Sequence, residues 1–359
     1  MAFPDRPVAH LLGSNGPVHA LTYSAYPGTY VLTGSADRSI RLYNPEPTTT
    51  SQPSYSSSIT SRLAATGEIP AGRLIQTYNA HGYEVLSVSV SGDNERFASS
   101  GGDRLVFLWD VASATTLRRL GGSQQGHSAR VNAVAFAGAG DSVLVSAGFD
   151  TSVRLWDLKA PSTSRPIQVL LDARDAVSAL AVRDANVWAA SVDGKLRRYD
   201  LRMARCVVDA IGASVTGLDV TRDGNGILTV ALDGKIRLMD RDKGTCLKVY
   251  ENPERVNKEL RVQALLGGKE KYVVTGDEAE SSHGEANGRL WTWDLLTGKV
   301  VKRVDVPWGP SQVNRKIVGS DGKSKDRKNI ITSLAWRDDG WGDQMCVAGT
   351  SGVVTVYST

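Results

Sequence analysis

Seven times along this chain a short apolar run closes on an aromatic residue and an acid, or on a near relative of that pair. The closing pairs are Tyr43-Asn44, Trp109-Asp110, Trp156-Asp157, Tyr199-Asp200, Met239-Asp240, Trp293-Asp294 and Tyr357-Ser358. The clearest unit runs from Ala80 to Asp110, AHGYEVLSVSVSGDNERFASSGGDRLVFLWD. His81-Gly82 opens it, and Val85 to Val90 alternates in character. Gly92-Asp93-Asn94 turns into a second run, Phe97 to Ser100. Gly101-Gly102-Asp103 then turns into a third, Leu105 to Leu108. Alternation at period two predicts half-buried strands, and turn residues between them predict antiparallel hairpins. One such sheet cannot cover both of its faces, so copies must stack upon it.

The next copy carries Gly126-His127, Val131 to Phe136, Val143 to Ser146, Asp150 and Trp156-Asp157, its closing Asp 47 residues after the first. Four strands, a repeat of about 40–45 residues and a terminal Trp-Asp mark the blade of a β-propeller. On these positions the chain resembles the WD-repeat family over nearly all its length. A length of 359 residues could hold one large domain or two ordinary ones. The repeats assign residues 1–359 to one all-β, seven-bladed propeller. Insertions at 45–72, 278–286 and 308–328 absorb the surplus, and we expect them to be flexible loops. The first, rich in Ser, Thr and Pro, reads as a disordered connection between blades or as a phosphorylation-controlled contact. The run Val8 to Leu12 has no partner of its own, and the last copy ends at Tyr357 with nothing left for an outer strand. The N-terminal strand is therefore expected to close the last blade.

Two blades repeat a polar quartet. His81, Ser99, Asp103 and Trp109 recur as His127, Ser146, Asp150 and Trp156, with Ser four before Asp and Trp six after it. The resemblance implies a hydrogen-bonded chain from Trp through Ser and His to Asp. Buried indole, hydroxyl and imidazole groups each need a partner, and a carboxylate can end the chain. A Ser-His-Asp trio also suggests a hydrolase. The trio occurs twice, however, and no nucleophile elbow accompanies it, so no catalytic residue is assigned. Gly322-Lys323-Ser324 lacks the first Gly of a phosphate loop and a strand before it. His283, alone among acids in the second insertion, lacks further metal ligands. No cofactor, metal or enzymatic activity is expected.

Blade 4 departs most from its neighbours. Two positions before its closing Asp200 stands Arg198, where other blades place Leu42, Leu108, Leu155 and Leu238. A partly buried charge needs a partner, with Asp172, Asp175 or an external acid as candidates. Asp172-Ala173-Arg174-Asp175 replaces the usual Gly-His entry on a loop, where binding residues concentrate. The last insertion holds Arg315, Lys316, Lys323, Lys325, Arg327 and Lys328 against Asp321 and Asp326, an excess equal to the whole chain's +4. It reads either as a contact for RNA phosphates or an acidic protein, or as a solvated loop.

Three scattered cysteines without a Cys-x-x-Cys pair suit a reducing compartment. No run of about 18 apolar residues would span a membrane, and the N-terminus lacks a signal peptide's apolar core. We therefore expect a protein of nucleus and cytoplasm. The stretches HGYEVLSVSVSGDNERFASSGGDRLVFLWDVASA, DARDAVSALAV and SVDGKLRRYDLRM resemble the mitogen-activated protein kinase organiser family. That resemblance implies a small non-enzymatic scaffold for kinase-cascade components, or one accompanying the pre-mRNA splicing machinery, with other proteins as partners to a monomeric propeller. Tyr83, Glu84, Phe149, Arg174, Asp175, Arg198, Tyr199 and Arg202 are our candidate contacts. A second reading is a substrate receptor of a cullin-type ubiquitin ligase, because Tyr199-Asp200-Leu201-Arg202 is similar to the Trp-Asp-x-Arg box of such receptors.

Overall fold

A computed structural model describes residues 3–47, 69–122, 125–160, 164–203, 205–279, 287–310, 316–318, 324–337 and 342–359. Strand β1 (Arg6–Leu11) precedes blade 1, which comprises β2 (Val18–Tyr23), β3 (Val31–Ser35), β4 (Ser39–Pro47) and β5 (Gly72–Asn79). Blade 2 comprises β6 (Val85–Val90), β7 (Arg96–Gly101), β8 (Val106–Asp110) and β9 (Thr116–Leu120). Blade 3 comprises β10 (Val131–Ala137), β11 (Val143–Gly148), β12 (Val153–Asp157) and β13 (Gln168–Leu170). Blade 4 comprises β14 (Val177–Arg183), β15 (Asn186–Ser191), β16 (Lys195–Asp200) and β17 (Arg205–Ala210). Blade 5 comprises β18 (Val215–Val220), β19 (Gly226–Ala231), β20 (Ile236–Asp240) and β21 (Cys246–Tyr250). Blade 6 comprises β22 (Ala264–Gly267), β23 (Tyr272–Gly276), β24 (Gly288–Asp294) and β25 (Val300–Val306). A hairpin, β26 (Lys316–Val318) with β27 (Ser324–Asp326), precedes blade 7. That blade comprises β28 (Ile331–Arg337), β29 (Gln344–Gly349) and β30 (Val354–Ser358), with β1 as its outer strand.

The ring closes through antiparallel pairing of β1 with β30, from Arg6 opposite Ser358 to Leu11 opposite Val354. Buried Ala9 and Leu11 join the core that blades 7 and 1 share, and Phe3 joins the core between blades 6 and 7. A propeller whose last blade takes a strand from each end of the chain leaves no long free edge.

The blades are also stitched to each other. Most innermost strands slip register after their first residue, for example between Val131 and Ala133 and between Val177 and Ala179. A bulge of this kind re-aims a side chain. Here the second residue reaches the neighbouring blade. Asn132 Nδ2 donates to Val177 O at 2.7 Å, Ser178 Oγ to Val215 O at 2.5 Å and Thr216 Oγ1 to Val262 O at 3.3 Å. Across the closing junction Ser333 Oγ donates to His19 O at 2.7 Å. All seven innermost strands line a central channel of about 500 Å³.

The described ends of the insertions are more ordered than flexible loops. Pro45 to Pro47 continue β4 and Gly72 begins β5, so the first insertion joins two strands of blade 1 rather than two blades. Its residues 48–68 lie outside the described residues. Glu278 accepts backbone N–H bonds from Lys258 at 3.0 Å and Leu260 at 2.7 Å, whereas 280–286, with His283, lie outside the described residues. In the third insertion Trp308 is wholly buried and β26 pairs with β27. Trp308 is held because burying its ring takes a large apolar surface out of water, and the hairpin because its two strands pair their backbone groups with each other.

Candidate functional site

In blade 2, Trp109 Nε1 donates to Ser99 Oγ at 2.8 Å, and Ser99 Oγ lies 2.7 Å from His81 Nε2. His81 Nδ1 faces Asp103 Oδ2, while Asp103 Oδ1 accepts the Gly82 N–H at 2.8 Å. Blade 3 repeats this geometry. Trp156 Nε1 donates to Ser146 Oγ at 2.8 Å, His127 Nε2 lies 2.8 Å from Ser146 Oγ, and His127 Nδ1 lies 2.9 Å from Asp150 Oδ1. Asp150 Oδ2 accepts the Ser128 N–H at 3.0 Å. Because Ser accepts from Trp, its proton is free for the imidazole, and the second imidazole nitrogen donates to the carboxylate. Burial pushes the Asp103 and Asp150 carboxyls up, but the His81 and His127 contacts together with backbone N–H bonds, and Ser152 at Asp150, outweigh it and hold both below the usual range. Ser99, Ser146, Trp109 and Trp156 are wholly buried, with no free face for a substrate.

Four of the blades without the His, 1, 4, 5 and 6, pair the turn Asp with Arg instead. In blade 1 Asp37 takes Arg41 Nη2 at 2.7 Å and in blade 4 Asp193 takes Arg197 Nη2 at 2.7 Å. Asp233 of blade 5 takes Arg237 Nη1 at 3.2 Å. In blade 6 Asp277 accepts from both Trp291 Nε1 and Arg289 Nη2 at 2.7 Å. Burial pushes the Asp37 carboxyl up, but Arg41, Ser35 and two backbone N–H groups bring it to about 2. The signal was present in the sequence: in three of these four blades Arg stands four residues after the turn Asp.

Each of these Asp residues except Asp233 also holds the loop that enters its blade. Asp37 binds the Asn15 N–H at 2.9 Å, Asp193 the Arg174 N–H at 3.2 Å and Asp277 the Val256 N–H at 3.0 Å. The side chains of those loops are therefore presented from a fixed backbone. Tyr83, beside the tethered Gly82, is 64% exposed. It lies against Gly102, where an added Cβ would come within 2.7 Å of the Tyr83 Cβ. Phe149 is 52% exposed, and the Arg130 guanidinium sits 5.0 Å from its ring centroid. Glu84 is half-buried, while Arg174 and Asp175 are exposed. These five contact candidates lie at the same end of blades 2 to 4, around the start of each innermost strand and the turn after each second strand.

The other three candidates do not join them. Arg198 and Tyr199 are on β16 and Arg202 follows it, toward the opposite end of blade 4. Tyr199 is only 4% exposed and packs in the core shared by blades 3 and 4, so it cannot be a contact. It takes the place of the buried Trp109 and Trp156 at the end of its blade. Arg202 is exposed and its N–H is held by Asp200 Oδ1 at 2.9 Å. Arg198 pairs with neither Asp172 nor Asp175. Its Nη1 lies 3.3 Å from Asp242 Oδ1, on the turn of the next blade. The fully buried arginine of β16 is Arg197, whose neighbour in sequence points to the opposite side of the sheet. Of the basic loop, Arg327 and Lys328 are exposed. Lys316 and Lys325 stand on the hairpin strands, and Arg315 and Lys323 lie outside the described residues.

Arg261, just before β22, and Asp219, on β18, line the channel, unremarked in the sequence because isolated charges carry no pattern. Arg261 Nη1 donates to Asn132 O at 2.9 Å, and burial, helped by Arg130, lowers its guanidinium to about 10. Asp219 Oδ2 accepts the Leu266 N–H at 2.8 Å, and burial raises its carboxyl to about 6. Among the described residues no group of three or more His, Cys, Asp or Glu could hold a metal, and no helix is long and apolar enough to cross a membrane.

The sequence model described as "WD domain, G-beta repeat" matches residues 5–44, 72–110 and 118–157. WD repeat domain-containing protein 83 of Rattus norvegicus is 33% identical over 303 residues, covering 84% of this chain and 83% of the rat protein. The Danio rerio protein of the same name is 32% identical over 352 residues, covering 95% and 96%. The homolog from Dictyostelium discoideum is 23% identical over 322 residues, covering 82% and 86%.

Proposed function

Because this chain belongs to the WD-repeat family and is homologous to WD repeat domain-containing protein 83, we propose that it is a scaffold of the nucleus and cytoplasm that assembles partners of the pre-mRNA splicing machinery or of a kinase module. A WD-repeat propeller of this kind is an interaction protein rather than an enzyme. The observation that carries the reading is the loop end of blades 2 to 4. There Tyr83 and Phe149 stand exposed from loops fixed by Asp103 and Asp150, with Arg130, Arg174 and Asp175 around them. Exposed aromatics with Arg neighbours on a rigid backbone are the composition of an interface hot spot. Their fixed spacing raises the effective concentration of one bound partner for another. No residue need do chemistry. Arg327 and Lys328 give RNA phosphates a place to bind beside the protein partners.

The test is crosslinking of the tagged protein in nuclear extract, with and without RNase, in wild type and in the Arg174→Ala/Asp175→Ala double variant. Splicing proteins that crosslink near blades 2 to 4, survive RNase and are lost in a folded double variant support the reading. Unchanged crosslinks in that variant remove this face. The ligase-receptor reading draws on the exposure of Arg202, two residues after the closing Asp200. It stands only if an adaptor co-purifies with wild type and is lost on Arg202→Ala.

A further inference from the structure

The substitution of Arg198 for the Leu of other blades opens onto a pocket at the end of blades 4 and 5 opposite the Tyr83 face. The pocket measures about 300 Å³ and is lined by Asn186, Arg198, Asp200, Met203, Arg205, Val207, Arg241 and Asp242. Three guanidinium groups converge there against two carboxylates. Asp200 is committed to its own turn, accepting the N–H groups of Arg202 at 2.9 Å and Met203 at 3.2 Å. Asp242 occupies the cationic pocket as an internal anion. Its Oδ1 takes Arg241 Nε at 2.9 Å and Arg198 Nη1 at 3.3 Å, and its Oδ2 takes Arg241 Nη2 at 3.2 Å. That carboxylate is 68% exposed on its turn, whereas the Arg198 side chain is 19% exposed and fixed in the sheet. The anion is thus the movable member and the cation the built one. Arg205 is exposed at the same rim, and no hydrogen bond or ion pair engages its side chain among the described residues.

We propose that this pocket is a docking site for a phosphorylated Ser or Thr side chain of a partner protein, whose phosphate displaces Asp242 and is gripped by Arg198, Arg205 and Arg241. A phosphate offers up to two charges and three acceptor oxygens where Asp242 offers one charge and two, and guanidinium forks match it bidentately. A peptide fits better than a nucleic acid. Asp200 and Asp242 repel a chain of phosphates, no aromatic ring lines the pocket for a base to stack on, and Met203, 72% exposed beside it, offers an apolar contact to a neighbouring side chain. This deepens the scaffold reading by giving a second face, at which assembly depends on phosphorylation.

The full chain is tested against an array of phosphoserine and phosphothreonine peptides with randomised flanks, each beside its unphosphorylated twin. Phosphopeptides are expected to bind and their twins not. For the best peptide, affinity is expected to fall at least tenfold in Arg198→Leu and in Arg205→Gln, and to rise severalfold in Asp242→Asn, which removes the competing charge. Arg198→Leu restores the residue that four of the other blades carry, so thermal melting should show it folded. If it is not, Arg205→Gln and Asp242→Asn, both exposed, decide. Equal binding of twins, or affinity indifferent to all three substitutions, overturns the proposal. So does single-stranded RNA or inositol hexakisphosphate bound through these arginines while no phosphopeptide is. Crosslinks at the Tyr83 face that persist in Arg198→Leu would show the two faces to be separate, so failure of one leaves the other standing.

Discussion

Deleting residues 1–12 removes β1 and with it the closure of the ring. Phe3 and Leu11 each bury a large side chain in the cores either side of blade 7, worth about 1.5–3 kcal/mol apiece. Ala9 and the partly buried Val8 add about 1–2 kcal/mol together. The antiparallel ladder to β30 is lost as well, and further bonds go with it: the His10 N–H to Pro70 O at 2.8 Å, the Tyr43 hydroxyl to Leu12 O at 2.8 Å, Thr355 Oγ1 with His10 Nδ1 at 3.2 Å, and the exposed Lys302–Asp5 ion pair. The apolar terms alone come to about 4–8 kcal/mol, and with the lost bonds added the cost is comparable to the whole stability of many domains at about 5–15 kcal/mol. The truncated chain should melt about 10 °C or more below the full one, since for large domains 1 kcal/mol moves the midpoint by ~2 °C. It should also aggregate through the bared edge of β30. Differential scanning calorimetry measures the midpoint, and light scattering the aggregation. A synthetic peptide of residues 1–12 added in excess should restore part of the loss. The single variant Leu11→Ala should cost about 2–5 kcal/mol. A truncated protein melting within two or so degrees of the full chain would refute the closure argument.

Ser146→Ala strips Trp156 Nε1 and His127 Nε2 of their shared partner inside the core. Urea denaturation should show a loss of about 1–3 kcal/mol for each buried group left unmade. Asp219 has a carboxyl raised in the folded state from 3.8 to about 6. The stability tied to it is therefore fully present below pH ~4 and is lost as pH rises through about 6, by roughly 3 kcal/mol at most. Urea melts from pH 4.5 to 7.5 should show this decline in wild type and not in Asp219→Asn; parallel curves would contradict it. Cys206 and Cys246 are exposed and Cys346 is buried, its thiol pushed up to about 12 by burial. A maleimide at neutral pH should label the first two in the native protein and the third only on unfolding, as read by mass spectrometry.

The blade count, the quartets of blades 2 and 3 and the N-terminal closure were legible because each is written at fixed spacing. The family pattern itself shows why. Its matches at 5–44 and 72–110 each begin on an outer strand and end on the third strand of the following blade, so the sequence repeat is offset from the structural one by a strand. A last blade short of one strand and a first strand without a blade follow directly. The partner of Arg198 was not legible. Asp242 lies 44 residues away on another blade, and only the packing of blade on blade brings the two together. Nor was the division of the candidate contacts between two ends of the propeller, although it could have been derived. Arg174-Asp175 precede the first strand of blade 4, whereas Arg202 follows its third. Strands alternating up and down must place those points at opposite ends. Tyr199 was misread because an aromatic beside two arginines suggests an interface, while its register with Trp109 and Trp156 fixes it in the core.

The two versions of the polar network bear on function as well as folding. In five blades, whether His or Arg supplies the inner partner, the turn Asp binds both a side chain of its own blade and the backbone of an entry loop, at Gly82, Ser128, Arg174, Asn15 and Val256. Blades can therefore lose the quartet's sequence and keep its mechanical result, a loop whose backbone is tethered and whose side chains are free to vary. Variation at Tyr83, Phe149 or Arg174 costs the fold little, since none of them is buried. Variation at Asp103, Asp150 or Asp193 costs both at once. The same separation holds at the other end of the molecule, where Arg198 sits in a strand and its counter-ion on an exposed turn. On the two proposed faces, specificity is written in residues the core does not need, on loops and pockets whose geometry the core sets.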